Sequence, residues 1–514
     1  MSEQWQAAWR LLPEYLGEHV ILSATALLFG VLISLPLTIL AVRRPRIRWF
    51  ILAVASVVQT IPSLALLALF YPLLLAVSSL TTHLFGFGFR ALGFLPSVLA
   101  LTLYSMLPII RSGVAGIANL PAPIIEAARG VGMTDWQRLI RIELPLATPM
   151  LMAGVRTAAV WVIGAATLST PVGQTSLGNY IFSGLQVEDW VSVLFGCISA
   201  ALLALIVDQL LGVIEHATVK RRNRGRIVAA SAALIAGVVA AIWMQLATPA
   251  STYVLGAKNF SEQYILAELM AQDIERQGAR AVQRTGLGSV VAFRALERNE
   301  IDAYVEYSGT LWANVLRRTD TPPRDQLMQE LSTWLLEQHG IHLLGSLGFE
   351  NAYALAMRRQ RAEELHIRSI DDLAAHASRL TMGGDLEFFQ RPEWTAIERA
   401  YGLTFAARRQ YQPTFMYRAI ASGEVDVISA FSSDGRIARD DLLILSDPRQ
   451  AILPYDAVIL IAPARADDTT LRSALEPLLG SIPLKTMQQA NLLVDREEDK
   501  LTPAAAARWL AERR

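Results

Sequence analysis

Two different patterns of hydrophobic residues divide the chain near residue 248. Before this position the sequence contains long runs without any charged residue, and they cover residues 19–42, 49–89, 91–110, 157–187, 191–207 and 227–257. After Lys258 the longest uncharged run has twelve residues, from 338 to 349. Because a helix needs about 20 apolar residues to cross a bilayer, we expect spanning helices only in the first half.

The uncharged runs predict six membrane-spanning helices, at 19–42, 49–79, 94–115, 147–168, 191–216 and 227–247. From residue 253 the pattern changes to alternating strands and helices, as in YVLGAKNF followed by SEQYILAELMAQDIERQG. Such alternation is typical of helices packed on a sheet. The predicted architecture is therefore multi-domain, with an all-α membrane bundle of about six helices at 1–250 and an α/β domain at 251–514.

Basic residues near the predicted spans indicate their orientation. Thirteen of them follow the first span, surround the 116–146 loop or follow the fifth span: Arg43, Arg44, Arg46, Arg48, Arg111, Arg129, Arg138, Arg141, Lys220, Arg221, Arg222, Arg224 and Arg226. The opposite set of segments holds Arg10 and Arg90. Since basic loops remain in the cytoplasm, we expect the 116–146 loop inside and 251–514 outside. The acidic first eighteen residues do not resemble a cleavable signal peptide, so we expect the first span to be retained.

Charge and composition exclude several classes of function. Residues 1–251 carry 16 basic and 10 acidic residues, and 252–514 carry 30 and 36. Neither half has the basic excess that nucleic-acid binding requires. The single cysteine, Cys197, excludes a disulfide within the chain, and the seven histidines show no metal-binding spacing. No catalytic constellation emerges either, so we predict a protein that is not an enzyme and that has no metal and no cofactor of its own.

The 116–146 loop contains a motif with seven specified positions. Residues 126–145 match the pattern EAA-x3-G-x9-I-x-LP, and the loop therefore resembles that of bacterial ABC importer permeases. The resemblance implies docking onto an ATPase, with these coupling residues: Glu126, Ala127, Ala128, Gly132, Leu144 and Pro145. We expect the small residues and Gly132 to lie closely in a cleft of the partner and Pro145 to stop the helix. The alternative is an ordinary amphipathic connector.

The ATPase is expected on a separate subunit. The chain has four lysines, and none follows a glycine as the G-x4-G-K-[ST] phosphate loop demands. Because six spans form only a small pore and importers of this type use two bundles, we also expect a homodimer. Asp208, inside the fifth predicted span, has two interpretations, a proton or ion relay and a satisfied or snorkelling residue near the cytoplasmic end.

An internal repeat indicates two similar lobes in the second half. ALERNEIDAYVEYSGT at 295–310 aligns without gaps with AIASGEVDVISAFSSD at 419–434. Both contain E-[IV]-D, a short strand and an aromatic residue followed by serine, which makes Tyr307 equivalent to Phe431. Because open α/β sheets bind ligands at the carboxyl ends of their strands, we expect a ligand between the lobes. The alternative for each ring is core packing. The predicted lobes are 252–355 with 456–514, and 356–455.

The same half resembles the substrate-binding domains of glycine betaine, choline and carnitine importers, through GAKNFSEQ, YVEYSGT, FENAYALAMR, ISAFSSDGRI and LPYDAV. The resemblance implies a periplasmic-binding-protein-like fold and an aromatic cage for a quaternary ammonium group, formed by Tyr307, Tyr353, Phe431 and Tyr455. It also points to Gln263 and Thr310 as donors to a carboxylate tail. Lys258 or Arg436 is a further candidate for supplying a charge, and the alternative for either residue is an exposed, solvated side chain. Members of this family commonly have tyrosine where this chain has Phe431.

Taken together, these patterns predict a permease of the bacterial cell (inner) membrane fused to its own binding domain, which imports a quaternary ammonium osmoprotectant. Glycine betaine, choline, carnitine and proline betaine all carry the required ammonium group. Ergothioneine, a trimethylated histidine derivative, is the alternative substrate for the same architecture. A ligand-sensing receptor without transport is a further alternative, but it would need a cytoplasmic output domain larger than the 116–146 loop.

Overall fold

The chain forms two compact units in the computed structural model. The model describes residues 3–86, 89, 92–187, 189–220, 224–246, 252–318, 320, 322–385, 388–449, 451–496 and 498–514. One unit comprises Ala8–Phe182 and Val191–Thr248, and the other comprises Met1–Ala7, Ser183–Trp190 and Pro249–Arg514. The predicted domain boundary at 250/251 lies outside the described residues, as do Arg90, Arg221 and Arg222.

The first unit is helical. Its helices are α1 Glu3–Arg43, α2 Pro45–Thr60, α3 Ser63–Phe85, α4 Phe94–Ala118, α5 Ala122–Gly130, α6 Asp135–Arg138, α7 Leu144–Ala166, α8 Gly178–Gln186, α9 Trp190–Lys220 and α10 Arg224–Leu246. Among the described residues, six helical segments are long and apolar enough to cross a membrane: Gln4–Arg43, Ser63–Phe85, Phe94–Ala118, Asp135–Val172, Trp190–Thr218 and Gly225–Trp243. The predicted number of spans is confirmed.

Two of the predicted span boundaries are wrong. The helix that contains the first span begins at Glu3, because its first turns are helical but too polar to add to an apolar run. The second predicted span, 49–79, is two helices, since Pro62 forces the preceding Ile61 into an extended conformation with ψ 128°. The second spanning segment is therefore α3 alone.

Small residues bring α1, α4 and α7 together at the centre of this unit. A Cβ added to Gly113 of α4 would lie 2.7 Å from Thr38 of α1, and one added to Gly154 of α7 would lie 2.8 Å from the Pro108 carbonyl of α4. Such contacts allow spanning helices to pack at backbone distance. The bundle interior is consequently filled by protein at this level.

Asp208 on α9 is paired within the bundle. Its two carboxylate oxygens accept hydrogen bonds from Arg156 of α7 at 3.0 and 2.9 Å, and Glu215 accepts a third from the same guanidinium at 2.6 Å. A bidentate arginine pair of this kind links two helices with fixed geometry. The contacts agree with the interpretation of Asp208 as a satisfied residue.

The second unit contains two five-stranded sheets. The elements of the first sheet are β1 Thr252–Lys258, α11 Ser261–Arg276, β2 Arg280–Leu287, α12 Ser289–Glu297, β3 Ala303–Tyr307, α13 Ser308–Thr310, α14 Arg324–His339 and β4 His342–Glu350. Those of the second are β5 Tyr353–Arg358, α15 Arg359–Glu364, α16 Ile370–Ala374, β6 Thr381–Asp385, α17 Pro392–Tyr401, β7 Ala407–Tyr411, α18 Pro413–Ala421, β8 Val427–Phe431, α19 Arg436–Arg439 and β9 Leu442–Ile444. The chain then returns to the first sheet through β10 Asp456–Ile461 and ends with α20 Thr469–Leu475, α21 Leu484–Asp495 and α22 Pro503–Ala511.

The strand orders of the two sheets correspond. They are β2-β1-β3-β10-β4 and β7-β6-β8-β5-β9, and in each the first three strands are parallel while the fourth is antiparallel to the third. The repeated segments supply the central strands β3 and β8. The chain first changes sheet between Glu350 and Tyr353, slightly before the predicted position at 355/356, because Tyr353 already pairs with Phe431.

The aspartate of the repeated E-[IV]-D sequence has the same role in both sheets. The carboxylate of Asp302 accepts a hydrogen bond from the Val254 N–H at 2.7 Å, and that of Asp426 accepts one from the Thr381 N–H at 2.9 Å. Each carboxylate therefore joins the start of the central strand to the neighbouring parallel strand. The repeated sequence thus makes the same contact in both sheets.

Candidate functional site

A cleft between the two sheets has a volume of about 180 Å³. Four of its lining residues lie at or just after the carboxyl ends of parallel strands. They are Phe260 after β1, Tyr307 at the end of β3, Asp385 at the end of β6 and Phe431 at the end of β8. The carboxyl ends of parallel strands are where open α/β sheets bind ligands. The cleft is therefore the candidate ligand site of this unit.

All four rings of the predicted cage line this one cleft. The Tyr353 ring lies 4.9 Å from Phe431 and 5.7 Å from Tyr455 between centroids, and the second pair is edge-on at 79°. Tyr307 and Phe431 do not stack directly on each other but are joined by Phe260, at 6.2 and 6.4 Å respectively. Phe260 is a fifth ring, which the sequence comparison missed although it lies within the matched stretch GAKNFSEQ.

The Tyr307 hydroxyl is held by a buried carboxylate. It donates a hydrogen bond of 2.5 Å to Glu262, which also accepts bonds from the side-chain amides of Asn351 at 3.0 Å and Asn491 at 2.9 Å. Burial raises the pKa of Glu262 above its ordinary value, against the opposing effect of these donors. Burial likewise raises the pKa of Tyr307, so the hydroxyl keeps its proton. Glu262 lines the cleft and was not predicted.

Gln263 lies behind Tyr307 rather than in the cleft. Its amide nitrogen donates to the Val305 carbonyl at 3.0 Å and to the Tyr307 hydroxyl at 3.1 Å, while its oxygen accepts from the Lys258 N–H at 3.2 Å. Both ends of the side chain are thus used by the protein. The expectation that Gln263 contacts a ligand carboxylate does not fit this arrangement, in which Gln263 positions the tyrosine.

Two cations of the chain lie over rings of the predicted cage. The Lys258 ammonium is 4.5 Å from the Tyr307 centroid and pairs with buried Glu306 at 2.5 Å. The Arg391 guanidinium is 4.9 Å from the Tyr353 centroid. Each therefore covers one face of its ring. Arg391 lies outside the motifs on which the sequence analysis relied, and it was therefore not predicted.

Thr310, the expected donor to a carboxylate tail, lines the cleft on the first lobe and is contacted from the second lobe. Its hydroxyl accepts a hydrogen bond of 3.4 Å from Arg391. The neighbouring Gly309 allows the Tyr455 ring to approach, because a Cβ at this position would lie 2.6 Å from the ring. The hydroxyl of Tyr455 donates to Glu393, the acidic neighbour of Arg391. The glycine of the YSGT motif thus leaves room for the Tyr455 ring, and its threonine places a hydroxyl in the cleft.

Arg436 is neutralised within the protein. It forms a bidentate pair with Asp434, with bonds of 3.0 and 2.7 Å, and lies 4.1 Å from the Tyr417 ring centroid. Burial alone would raise the pKa of Asp434, but the adjacent guanidinium outweighs this effect and lowers it. Because the charge of Arg436 is already balanced, the structure does not support the expected role for this residue as a free charge for a ligand.

The EAA motif forms a second candidate site, on α5 and the turn after it. Glu126 and Ala127 are exposed and Ala128 is buried. Gly132 has φ +77°, its N–H bonds to the Arg129 carbonyl, and the next N–H bonds to the Ala128 carbonyl. These two bonds with a left-handed residue form a Schellman motif. Gly132 therefore ends the helix, a role that the expectation of close packing alone did not include.

Pro145 does not stop the helix, contrary to the prediction. Helical structure continues from α6 through a π-helical turn, Leu139–Glu143, into α7. Pro145 occupies the first turn of α7, where its missing N–H is tolerated. Leu144 packs against the buried residues Ile117, Ala147 and Leu151. Leu144 thus anchors the loop on the membrane bundle, whereas Pro145 is exposed.

The loop that contains the EAA motif also has ion pairs and exposed apolar side chains. Glu143 accepts hydrogen bonds from Arg138 at 2.6 Å and from Arg43, at the end of α1, at 3.3 Å. Four apolar side chains around the motif are exposed by 38–74%: Ile124, Val131, Trp136 and Ile140. A loop that is held by ion pairs and that exposes apolar side chains has the character of a docking surface.

Comparison with known proteins assigns each half of the chain to a protein family. Residues 251–512 match the family model described as "Substrate binding domain of ABC-type glycine betaine transport system". Residues 26–220 match "Binding-protein-dependent transport system inner membrane component". Both descriptions are of transport proteins. The resemblances inferred from the EAA loop and from the cleft residues are therefore confirmed at the level of family.

Individual relatives cover the whole chain or one half of it. The "Ergothioneine transport permease/ergothioneine binding protein EgtU" of Helicobacter pylori (strain G27) is 28% identical over 504 residues, which are 95% of this chain and 87% of that protein. The "Carnitine transport permease protein OpuCB" of Listeria monocytogenes is 37% identical over 199 residues, 39% of this chain and 84% of the relative. A crystal structure of a glycine betaine/carnitine/choline ABC transporter covers 51% of this chain and 97% of its own, with 25% identity and a TM-score of 0.45.

The two family models agree with the six spanning-type helices and the two-sheet domain. The chain is a multi-pass inner-membrane protein, and its second half is a binding domain of the extracytoplasmic type. The family is one in which transport is driven by an ATPase and a small ligand is delivered by the binding domain. The chain thus belongs to the binding-protein-dependent permeases of ABC importers and is fused to a substrate-binding domain of the glycine betaine transport family.

Proposed function

We propose that this chain imports a small quaternary ammonium compound, such as glycine betaine, carnitine, choline or a related osmoprotectant. The observation that carries the proposal is the set of five aromatic rings that line one cleft: Phe260, Tyr307, Tyr353, Phe431 and Tyr455. A quaternary ammonium has no N–H to donate, and ring faces attract it by about 0.5–2 kcal/mol each when water is excluded. Several converging rings therefore suit this class of ligand.

The cations over the rings favour a ligand that also has a carboxylate. Lys258 and Arg391 bring positive charge to the faces of Tyr307 and Tyr353, although each is also paired with a buried carboxylate, Glu306 or Glu393. A carboxylate placed beside Arg391 and Thr310 would receive charge-assisted hydrogen bonds, whereas a second bare cation there would be repelled. We accordingly expect zwitterions such as glycine betaine and carnitine to bind more tightly than choline.

Ergothioneine is the second candidate, because of two buried asparagines among the residues that line the cleft. The side chains of Asn351 and Asn491 turn their nitrogens to Glu262, and their oxygens have no hydrogen-bond partner among the described residues. A histidine-derived ligand has ring N–H groups for such acceptors, which a simple betaine lacks. The Helicobacter pylori relative with the same fused architecture is named for ergothioneine. Both candidates share the trimethylammonium group.

Transport requires partners that this chain does not supply. We infer a separate ATPase subunit, since none of the four lysines follows a glycine as in a phosphate-binding loop. The EAA loop, with its exposed apolar side chains, is the proposed docking surface. A second copy of this chain is proposed to complete the permease as a homodimer, and no cofactor is proposed for the chain itself.

Calorimetric titration of the purified full-length chain in detergent tests the substrate. The panel contains glycine betaine, carnitine, choline, proline betaine and ergothioneine, with glycine as the primary-amine match of glycine betaine. We expect at least one trimethylammonium ligand to bind about tenfold or more tightly than its primary amine, whose N–H donors would lose water without gaining acceptors among the rings. Equal binding of glycine and glycine betaine, or no binding of any quaternary amine, would overturn the proposal.

The affinity for a cationic ligand is expected to fall at acidic pH. Burial raises the pKa of Glu262 above 4.5, so the carboxyl group is ionised well above its raised pKa and attracts the ammonium. It takes up a proton as the pH falls through that pKa, and the attraction is lost. Titrations between about pH 5 and pH 8 measure this dependence. Glu262→Gln should flatten it, while Glu337→Gln, at an exposed site, should retain it. A pH dependence unchanged in Glu262→Gln would assign it to another group.

A further inference from the structure

Helix α21 of the first lobe lies against the turn 432–435, which follows β8 in the second lobe. Three hydrogen bonds of 2.8 Å cross between the lobes here: from Gln488 to the Ser432 carbonyl, from Asn491 to the Ser433 carbonyl and from Arg439 to the Asp495 carbonyl. Positions 488, 491 and 495 are three and four residues apart, so they share one face of α21. The second lobe therefore rests on this face of the first.

Gly435 brings the turn into contact with the backbone of α21. Its conformation, φ −64° and ψ −23°, lies in the right-handed helical region, which residues with side chains adopt freely. A Cβ added to Gly435, however, would lie 2.3 Å from the Leu492 nitrogen and 2.8 Å from the Gln488 carbonyl oxygen. Backbone atoms within a helix cannot turn aside as a side chain can. The absence of a side chain at Gly435 is thus needed for the contact between the lobes and not for the shape of the turn.

This contact is continuous with the wall of the cleft. The turn directly follows Phe431, and Phe431, Ser433 and Asn491 all line the cleft. The Asn491 amide that bonds to the second lobe also donates, at 2.9 Å, to Glu262, the carboxylate that holds the Tyr307 hydroxyl. The rings of Phe431 and Tyr307, one from each lobe, are therefore attached to opposite sides of the same contact.

A side chain at position 435 would separate the lobes by about 1 Å at this contact. Ordinary van der Waals contacts of a Cβ begin at 3.4 Å, whereas the Leu492 nitrogen lies 2.3 Å from the Cβ position. The groups of a binding site have to stay within about 0.5 Å of their productive positions. A displacement of this size is accordingly large enough to weaken ligand binding.

We propose that Gly435 is a positioning residue of the binding site. Because it lacks a side chain, it sets the spacing of the two lobes and hence the distance between Phe431 and Tyr307, although it has no side chain with which to touch a ligand. Asn491 links this spacing to the carboxylate that holds Tyr307. The inference rests on the proposed function in one respect only, namely that the ligand binds between the lobes.

Pulsed electron paramagnetic resonance on the full-length chain in detergent tests the spacing. Nitroxides are attached in a Cys197→Ser chain at Leu336→Cys in the first lobe and Ser378→Cys in the second, two exposed positions. We expect the shortest distances between the labels to be lost in Gly435→Ala and, to a greater extent, in Gly435→Leu. Gly288→Ala is the matched control, since Gly288 has φ −74° and open space at its Cβ position. Distances in both Gly435 variants equal to those of the native chain would overturn the proposal.

Calorimetry on the same variants connects the spacing to binding. The affinity for the trimethylammonium ligands of the panel should fall by about tenfold or more in Gly435→Leu and stay unchanged in Gly288→Ala. A purely structural role of Gly435 predicts a lower unfolding temperature with unchanged distances, and longer distances with unchanged affinity would equally contradict a positioning role. The distance measurement needs no ligand, so failure of the calorimetric panel in the native chain is distinguishable from failure here.

A second pair of variants tests the contact without added bulk, in case the Gly435 variants do not fold. Gln488→Ala removes one of the three hydrogen bonds between the lobes, whereas Gln489→Ala changes the exposed neighbouring residue of the same helix. We expect a broader distribution of distances between the labels for Gln488→Ala and the native distribution for Gln489→Ala. Identical distributions for the two variants would show that the contact does not set the spacing of the lobes.

Discussion

Uptake is expected to fall to background when Gly132 is replaced by tryptophan, while the binding domain keeps its ligand affinity. Gly132 is exposed, has no atom within 4 Å of a Cβ position, and ends α5 with φ +77°. A side chain there is strained by about 1–2 kcal/mol in the left-handed conformation, and a bulky one would also project from the proposed docking surface. Uptake by cells that carry the ATPase, together with calorimetry on the purified chain, measures the two properties separately.

Smaller substitutions separate backbone strain from loss of docking. Gly132→Ala imposes the strain without bulk, whereas Gly132→Asn is expected to be milder, because asparagine tolerates the left-handed conformation. Gly130 is the matched control: it is exposed, lies within α5 and has open space at its Cβ position. Gly130→Ala should leave uptake intact. Normal uptake by Gly132→Trp would remove the argument that this turn docks onto an ATPase.

Runs of uncharged residues predicted the membrane half correctly in number but not in every boundary. Hydropathy averages over a window, so it detects α3 without detecting the interruption at Pro62. It also omits the polar first turns of α1, whose helix continues outward to Glu3. The pairing of Asp208 with Arg156 depends on residues 52 positions apart, and the sequence alone gave two interpretations of that carboxylate.

The cleft was predictable where two independent patterns pointed to the same residues. Tyr307 and Phe431 followed from the repeat as well as from the family resemblance, and the structure places both at strand ends facing one space. Arg391 and Glu262 were missed, because their contacts with Tyr353 and Tyr307 join residues that lie far apart in the sequence of each lobe. Gln263 was assigned to the ligand because a sequence does not reveal that its amide is already bonded on both sides.

Loss of the Tyr455 ring is expected to weaken binding of a quaternary amine by about tenfold or more. A desolvated cation–π contact contributes up to about 2 kcal/mol, and a tenfold change in affinity corresponds to about 1.4 kcal/mol. The same magnitude is expected for Tyr307→Ala. Phenylalanine at either position retains the ring, so affinity should change far less. It removes the hydroxyl that donates to Glu393 or Glu262, however, and the free energy of unfolding should fall by about 1–3 kcal/mol for a buried group left unsatisfied.

Phe431 gives the sharper test, because it has no hydroxyl whose loss would complicate the result. Its ring lies 4.9 Å from Tyr353 and stacks on Phe260 at 6.4 Å with an interplanar angle of 2°. Phe431→Tyr keeps the ring face and should retain most of the affinity, whereas Phe431→Leu keeps the apolar volume but removes the attraction for a cation. Calorimetry with a quaternary amine and thermal unfolding of each variant separate binding from stability. If the leucine variant bound the ligand as tightly as the native chain, the Phe431 ring would be a packing element, and the internal repeat would no longer indicate two halves of one cage.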